Sequence, residues 1–263
     1  MILGILNVTP DSFSDGGQFP DLEAAAAHGC LLAEQGAEII DLGGESTRPG
    51  AVPVDVDEEL RRVIPVLRAL RKKSEVLISI DTSKAAVADA AMEAGADIIN
   101  DVTALLGDPA MPEVAARHGA GVILTHMQGN PQTMQLAPHY GDVVREVADF
   151  LRQRMEAVLG YGMATESMAI DPGIGFGKTW EHNLALLREL AQFVTMGRPV
   201  LVGVSRKSFL ARLAGAEKME DRLWPGVALT SYGREMGARL FRVHEPQPHS
   251  QALRMTEAIG NHA

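Results

Sequence analysis

The chain has one cysteine, Cys30, among its 263 residues. No disulfide can close within it, and a reducing compartment is the natural setting. Cys30 sits in an alanine-rich helical stretch, where it reads as a small buried hydrophobe and not as a nucleophile. Positive charge is also short: the net charge of −10 argues against a broad nucleic-acid or anionic-membrane surface. It leaves a few local arginines and lysines free to hold a small phosphorylated molecule. No 18-residue apolar run occurs, and no basic region followed by an apolar segment opens the chain. The expectation is a soluble, cytoplasmic protein with no membrane or nucleic-acid partner. Zinc spacing of Cys and His is missing, as are His-Glu-x-x-His and Gly-x-Ser-x-Gly, which argues against a tight structural metal and a hydrolase elbow. No proline- or serine-rich linker divides the sequence, so residues 1–263 read as a single domain.

What is present is ordinary in bulk and specific in detail. A hydrophobic content of 46% suits a soluble globule with a core that needs no staples. The most informative stretch runs from Met168 to Lys178, where an apolar run enters Asp171 and then opens into three glycines. It reads as a buried strand that delivers a carboxylate to a pocket, with glycines that let backbone approach a ligand. A phosphate-binding P-loop fails here, because Pro172 stands where its first glycine belongs. A dinucleotide fingerprint fails too, since Lys178 stands where its third glycine belongs. A plain turn after a core strand is the remaining structural reading.

Eight short apolar runs recur along the chain: Ile2–Val8, Glu38–Leu42, Val76–Ile80, Asp97–Ile99, Gly121–Leu124, Met168–Ile170, Val200–Val204 and Arg239–Val243. Helical periodicity separates them over Leu22–Gln35, Asp57–Lys72, Ala85–Ala94, Val143–Leu159, Asn183–Phe193 and Gln251–Ile259. Gly36, Gly95, Gly119, Gly162 and Gly197 stand where helices should stop. Eight β–α alternations with near-continuous apolar strands predict an α/β fold, a single (β/α)8 TIM barrel, with a doubly wound open sheet as the alternative. Polar residues fall at the strand ends: Asn7, Asp41, Asp81, Asn100 with Asp101, His126, Asp171, Ser205-Arg206-Lys207-Ser208, and Arg242 with His244. A barrel gathers those ends on one face, where sites of this architecture lie.

The inventory has two parts. Asp81, Asn100 and Asp171 suit a flat heterocycle with ring N–H and amino donors. Arg48, Arg206, Lys207, Arg242 and His244 form a cationic set suited to phosphate or pyrophosphate. Plainer readings stand beside these. Asp81 would cap the helix that follows it, Asn100 would hold a turn, and Arg48 and Arg206 would be surface charges. His28, His118 and His182 read as structural, Lys84 as part of a helix start, and Lys207 also fits a Schiff-base lysine.

These residues carry a pattern that resembles the dihydropteroate synthases. Ile5-Leu6-Asn7-Val8-Thr9-Pro10-Asp11-Ser12-Phe13-Ser14-Asp15-Gly16-Gly17 resembles the family's first loop, and Gly43-Gly44-Glu45-Ser46-Thr47-Arg48-Pro49-Gly50 its second. Ile80-Asp81-Thr82-Ser83-Lys84, Ile99-Asn100-Asp101, His126 to Pro131, Asp171-Pro172-Gly173, Ser205 to Ser208 and Arg242-Val243-His244 follow in the family's order, across nearly the whole chain.

The resemblance implies condensation of 6-hydroxymethyl-7,8-dihydropterin pyrophosphate with p-aminobenzoate by a dissociative substitution. It implies Asp81, Lys207, Arg242 and His244 as catalytic residues, and Asp81, Asn100, Asp171, Lys207 and Arg242 as the pterin site. Asn7, Arg48, Arg242 and His244 would hold pyrophosphate, with Mg²⁺ reaching the protein through Asn7. Thr47, Pro49, Phe176 and Ser208 would form the p-aminobenzoate pocket, where sulfonamides compete in this family. A homodimer and mobile first and second loops belong to the same expectation. Ile174, Glu245 and Trp224-Pro225-Gly226 depart from the family's usual pattern. The rivals are a pterin-binding methyltransferase domain, a non-enzymatic pterin carrier and a Lys207 aldolase. The first two leave the second-loop arginine or the arginine–histidine set without a task.

Overall fold

The computed structural model describes residues 1–8 and 18–260. Thr9–Gly17, most of the first-loop motif, lies outside the described residues, as do 261–263. Among the described residues there are eight parallel strands: β1 (Ile2–Asn7), β2 (Ile39–Gly43), β3 (Leu77–Asp81), β4 (Ile98–Asp101), β5 (Gly121–Thr125), β6 (Met168–Asp171), β7 (Leu201–Val202) and β8 (Leu240–Val243). Each of β1 to β5 pairs with the next, β8 pairs with both β1 and β7, and an isolated parallel bridge between Ile170 and Val200 joins β6 to the β7 segment. The sheet therefore closes, and the open doubly wound alternative is excluded: sequential neighbours pair throughout, with no switch point.

Period-two alternation then sorts each strand between two surfaces. Outward residues such as Ile40, Ile78, Ile80, Val122, Ile170 and Phe241 pack with the helices into one large core cluster. Inward residues form layers. At the bottom, Leu3, Ile39, Ile123, Ala169, Leu201 and Leu240 make a separate apolar plug, with Ile98 against it. Two residues further along β2, β4, β5, β6 and β8 the inward positions become Asp41, Asn100, Thr125, Asp171 and Arg242. The plug excludes water from below, and each buried Leu or Ile contributes roughly 1.5–3 kcal/mol. That apolar floor is what sustains a polar layer directly above it.

The helices are α1 (Gln18–Glu34), α2 (Val56–Lys73), α3 (Ala85–Glu93), α4 (Met111–His118), α5 (Val143–Gly160), α6 (Trp180–Arg188), α7 (Leu190–Val194), α8 (Ser208–Ala214), α9 (Leu223–Glu235) and α10 (Pro246–Gly260). Three of these escape the periodicity reading. α4 is short with proline in its first turn, α8 starts inside the Ser-Arg-Lys-Ser loop, and α9 opens on Trp-Pro-Gly. Proline in a first turn lacks only an N–H that has no partner there, so it reads as a breaker while being tolerated. The stretch Asn183–Phe193 is two helices, interrupted at Glu189, which serves as C-cap of one and N-cap of the next. His182 has the structural role expected of it, completing a capping box with Thr179.

A polar layer at the mouth of the barrel

β3 and β6 end one residue beyond their apolar runs and β4 two beyond, so Asp81, Asn100, Asp101 and Asp171 are strand residues with fixed directions. The side chains of Asp81, Asn100 and Asp171 meet in a cavity of about 360 Å³ at the C-terminal mouth, while Asp101 turns away from it and accepts from Thr103 and Leu105. Asn7, Thr47, Arg48, Pro49, Asp81, Asn100, Asp171, Phe176, Lys207, Ser208, Arg242 and His244 all line it. Every site residue singled out in the sequence is thus brought to one place. Ser205 and Arg206, already marked by their place after the seventh strand, line it too, as do Thr125, Val102, Met134, Arg222 and Glu45; strand-end position marks Thr125, while these last four carry no periodic signal.

Arg242 is the node of this layer. Its Nε donates to Asp41 Oδ2 and one terminal nitrogen to Asp81 Oδ2, each at 2.6 Å. Asp41 is wholly buried, and both its oxygens also accept from Asn100 Nδ2 at 3.2 and 3.3 Å. Asp81 therefore does not cap α3, whose N-cap position is Lys84 with no side-chain cap bond, and Asn100 holds a carboxylate, not a turn. Asp41 is the residue that strand-end reading noticed and left without a role. Burial works to lower the Arg242 pKa, but Asp41 and Asp81 together hold it above its ordinary value. Desolvation pushes the Asp81 carboxyl up to about 7, against the pull of Arg242. A guanidinium cannot give up its proton here, so the 2.6 Å contact selects ionised Asp81.

Beside this node, Asp171 is buried and raised by desolvation, with Oδ1 accepting from Gly173 N at 2.7 Å. Of the glycines after it, Gly175 lines the cavity as the spacing implied, whereas Gly173 and Gly177 answer to the neighbouring chain segment. A Cβ at Gly173, whose φ is +71°, would stand 1.9 Å from the carbonyl oxygen of His126. At Gly177, φ +61°, it would stand 2.4 Å from that of Gln128. The loop needs glycine because it lies directly on the segment following β5. Its Phe176 ring faces the cavity, with Lys207 Nζ 4.0 Å from the ring centroid. Desolvation lowers the Lys207 pKa to about 8, while Asp171 pulls the other way.

The opposite rim is cationic, with one correction. His244, counted among the cations, is neutral: desolvation and then Arg206, Arg242, Arg48 and Lys207 lower it to about 2. Four cations around one imidazole leave no room for a fifth charge. Its Nδ1 lies 3.0 Å from Ser205 Oγ, which also accepts from His244 N at 3.3 Å. In the tautomer where the Ser205 hydroxyl donates to Nδ1, Nε2–H is left as a donor. Arg206 pairs with Glu245, so the departure at Glu245 shapes this rim. Gly226 of the Trp-Pro-Gly departure lies beside Ser205 and His249, where an added Cβ would make only ordinary contacts, 3.9 Å from Ser205 Cα.

Arg48 and Pro49 are exposed at the tip of the second loop. The base of that loop is tied down: Lys84 bridges Glu45 and buried Glu59, Glu45 accepts from Val54 N at 3.2 Å, and Arg62 donates to Gly44 O at 2.8 Å. Lys84 is thus more than part of a helix start. Among the described residues no group of three or more His, Cys, Asp or Glu could hold a metal ion. Asn7 offers a single neutral oxygen, which suits only a cation that brings most of its ligands with it, as Mg²⁺ does on a phosphate.

A dry floor, paired carboxylates and a cationic rim define a barrel enzyme whose ligand has a donor-rich ring at one end and an anion at the other. The chain belongs to the pterin binding enzyme family, whose model matches residues 3–244. Within that family its relatives are the dihydropteroate synthases. It is 47% identical over 257 residues to the dihydropteroate synthase of Escherichia coli strain K12, covering 98% of this chain and 90% of that protein. It superimposes with a TM-score of 0.93 and 46% identity on the Xanthomonas albilineans dihydropteroate synthase with 4-aminobenzoic acid, covering 98% and 92% of the two chains. With the structure of the same organism's enzyme in complex with 7,8-dihydropteroate the TM-score is 0.89, at 43% identity and 98% and 93% coverage.

Proposed function

We infer that the chain is a dihydropteroate synthase, a transferase of folate biosynthesis that joins 6-hydroxymethyl-7,8-dihydropterin pyrophosphate to p-aminobenzoate, releasing pyrophosphate. The observation that carries this reading is the single cavity in which buried Asp81, Asn100 and Asp171 face Arg48, Arg242 and His244. A pterin carrier has no use for the second set, and a methyltransferase has none for Thr47-Arg48-Pro49.

In this mechanism Asp171 accepts from the pterin amino group and ring N–H, Asn100 completes that edge, and Lys207 donates to the ring carbonyl. Breaking the C–O bond leaves positive charge on the pterin methylene and negative charge on pyrophosphate. Asp81 and Asp171 stabilise the first charge. Arg48, Arg242 and the Nε2–H of His244 stabilise the second, and Arg242 arrives already oriented by Asp41 and Asp81. The neutral amine of p-aminobenzoate, seated among Thr47, Pro49, Phe176 and Ser208, then forms the C–N bond and loses its proton to solvent or pyrophosphate. No enzyme nucleophile is needed. Asn7 would hold Mg²⁺, which when bound adds positive charge beside the leaving pyrophosphate. The chain acts in the cytoplasm as a homodimer in this reading. α9 and α10 pack on each other and leave Trp224, Tyr232, Met255 and Ile259 exposed, surface that a second copy would cover.

The test is to incubate the protein with the pterin pyrophosphate, p-aminobenzoate and Mg²⁺ and to quantify both products. Dihydropteroate and pyrophosphate should appear in equal amounts, and chelation of Mg²⁺ should stop both. Neither product, under conditions where an established synthase turns over, overturns the assignment.

A further inference from the structure

We propose that Lys178 is a positioning residue of the p-aminobenzoate subsite, cross-linking the glycine loop that carries Phe176 to the end of β5. The proposal rests on the synthase reading of this cavity and assigns a residue that does not line it.

Lys178 is only 2% exposed. Its ammonium has three N–H donors, and three acceptors surround it: His126 Nδ1 at 2.9 Å, Phe176 O at 3.0 Å and His126 O at 3.3 Å. Two belong to the residue just beyond β5, and the third is the carbonyl of Phe176 itself. No other side chain matches three convergent acceptors with three donors at one atom. The link is short because nothing stands between the two segments: Gly173 lies against the same His126 carbonyl that Lys178 contacts. Further ties run the same way, from Tyr140 OH to Gly177 O at 2.9 Å and from Gln135 Nε2 to Gly175 O at 2.6 Å. The Phe176 ring is therefore held from behind while Lys207 sits over its cavity side.

Stability alone is a poor reason for this lysine. Burying an ammonium costs several kcal/mol of hydration, and an apolar side chain of similar volume would pack without that cost. Desolvation accordingly lowers its pKa to about 7, opposed by Asp171. What the ammonium supplies, and an apolar residue would not, is a fixed position for the Phe176 backbone. Asp171 keeps Lys207 and Arg242 nearby when Lys178 is removed, so the pterin end should change less than the p-aminobenzoate end.

The experiment is steady-state kinetics of Lys178→Met and Tyr140→Phe with both substrates varied, alongside thermal melting. For Lys178→Met the KM for p-aminobenzoate should rise about tenfold while that for the pterin pyrophosphate stays within about threefold. Tyr140→Phe removes one tie without changing volume, and its KM for p-aminobenzoate should rise about threefold. Unchanged KM values with a lowered melting temperature, or equal rises for both substrates, would make Lys178 a structural residue and overturn the proposal. If Lys178→Met does not fold, an unchanged KM in Tyr140→Phe does the same. Wild-type turnover separates the two readings: its absence sinks the synthase assignment, whereas its presence with unaltered variants sinks only this one.

Discussion

Replacing Asp41 by Asn keeps the shape of the most buried carboxylate in the polar layer and removes its charge. In the native protein both oxygens accept, from Arg242 Nε at 2.6 Å and from Asn100 Nδ2 at 3.2 and 3.3 Å. A carboxamide has one acceptor oxygen, so its NH₂ must point at one of two donors. Breaking a buried ion pair outright costs about 3–5 kcal/mol; Arg242 retains Asp81, which places this variant lower, at roughly 2–3 kcal/mol. For a chain of this length that corresponds to a fall of roughly 4–12 °C in Tm. Arg242 also loses the partner that fixes Nε, so kcat should fall more than the pterin KM changes. The assays are thermal unfolding by circular dichroism and initial rates on one preparation. An unchanged Tm would refute the claim that Asp41 satisfies two buried donors. A lowered Tm with undiminished kcat would refute the claim that it orients Arg242 for chemistry.

The Lys207 pKa, lowered to about 8 by burial, has two consequences with definite signs. Between about 8 and the unfolded value near 10.5 the unfolded chain binds more protons, so this group's contribution to stability rises with pH there. Affinity for the pterin pyrophosphate should meanwhile fall as pH climbs through about 8, because the cation is lost; a Lys207→Met variant with the same pH profile would contradict this. Gly173→Ala combines a left-handed backbone with a Cβ placed 1.9 Å from a carbonyl oxygen, and should lose roughly 2–5 kcal/mol. Denaturant unfolding with a midpoint near wild type would show that the loop does not lie on the β5 segment as described.

Much of this protein was legible before any coordinates. Alternating apolar runs and helical stretches determine eight parallel β/α units, because hydrophobic periodicity is set locally. Closure into a barrel instead of an open sheet is decided by the β1–β8 pairing and the bridge from β6 to the β7 segment. Polar residues at the strand ends mark the mouth, since a strand's direction decides which end of the barrel its last residue reaches. What single residues do there was settled only by packing across the sequence. Asp41 and Arg242 are 201 positions apart and meet because β1 lies between β2 and β8. His244 reads as a cation in isolation and is neutral among four others. The glycines after Asp171 look like a ligand cradle, and two of them, Gly173 and Gly177, are the footprint of His126 and Gln128. Lys178, beside them, resembles a nucleotide lysine and in the fold turns inward to the loop. Charge state and contact are properties of neighbours, and a linear chain does not name its neighbours until it has closed.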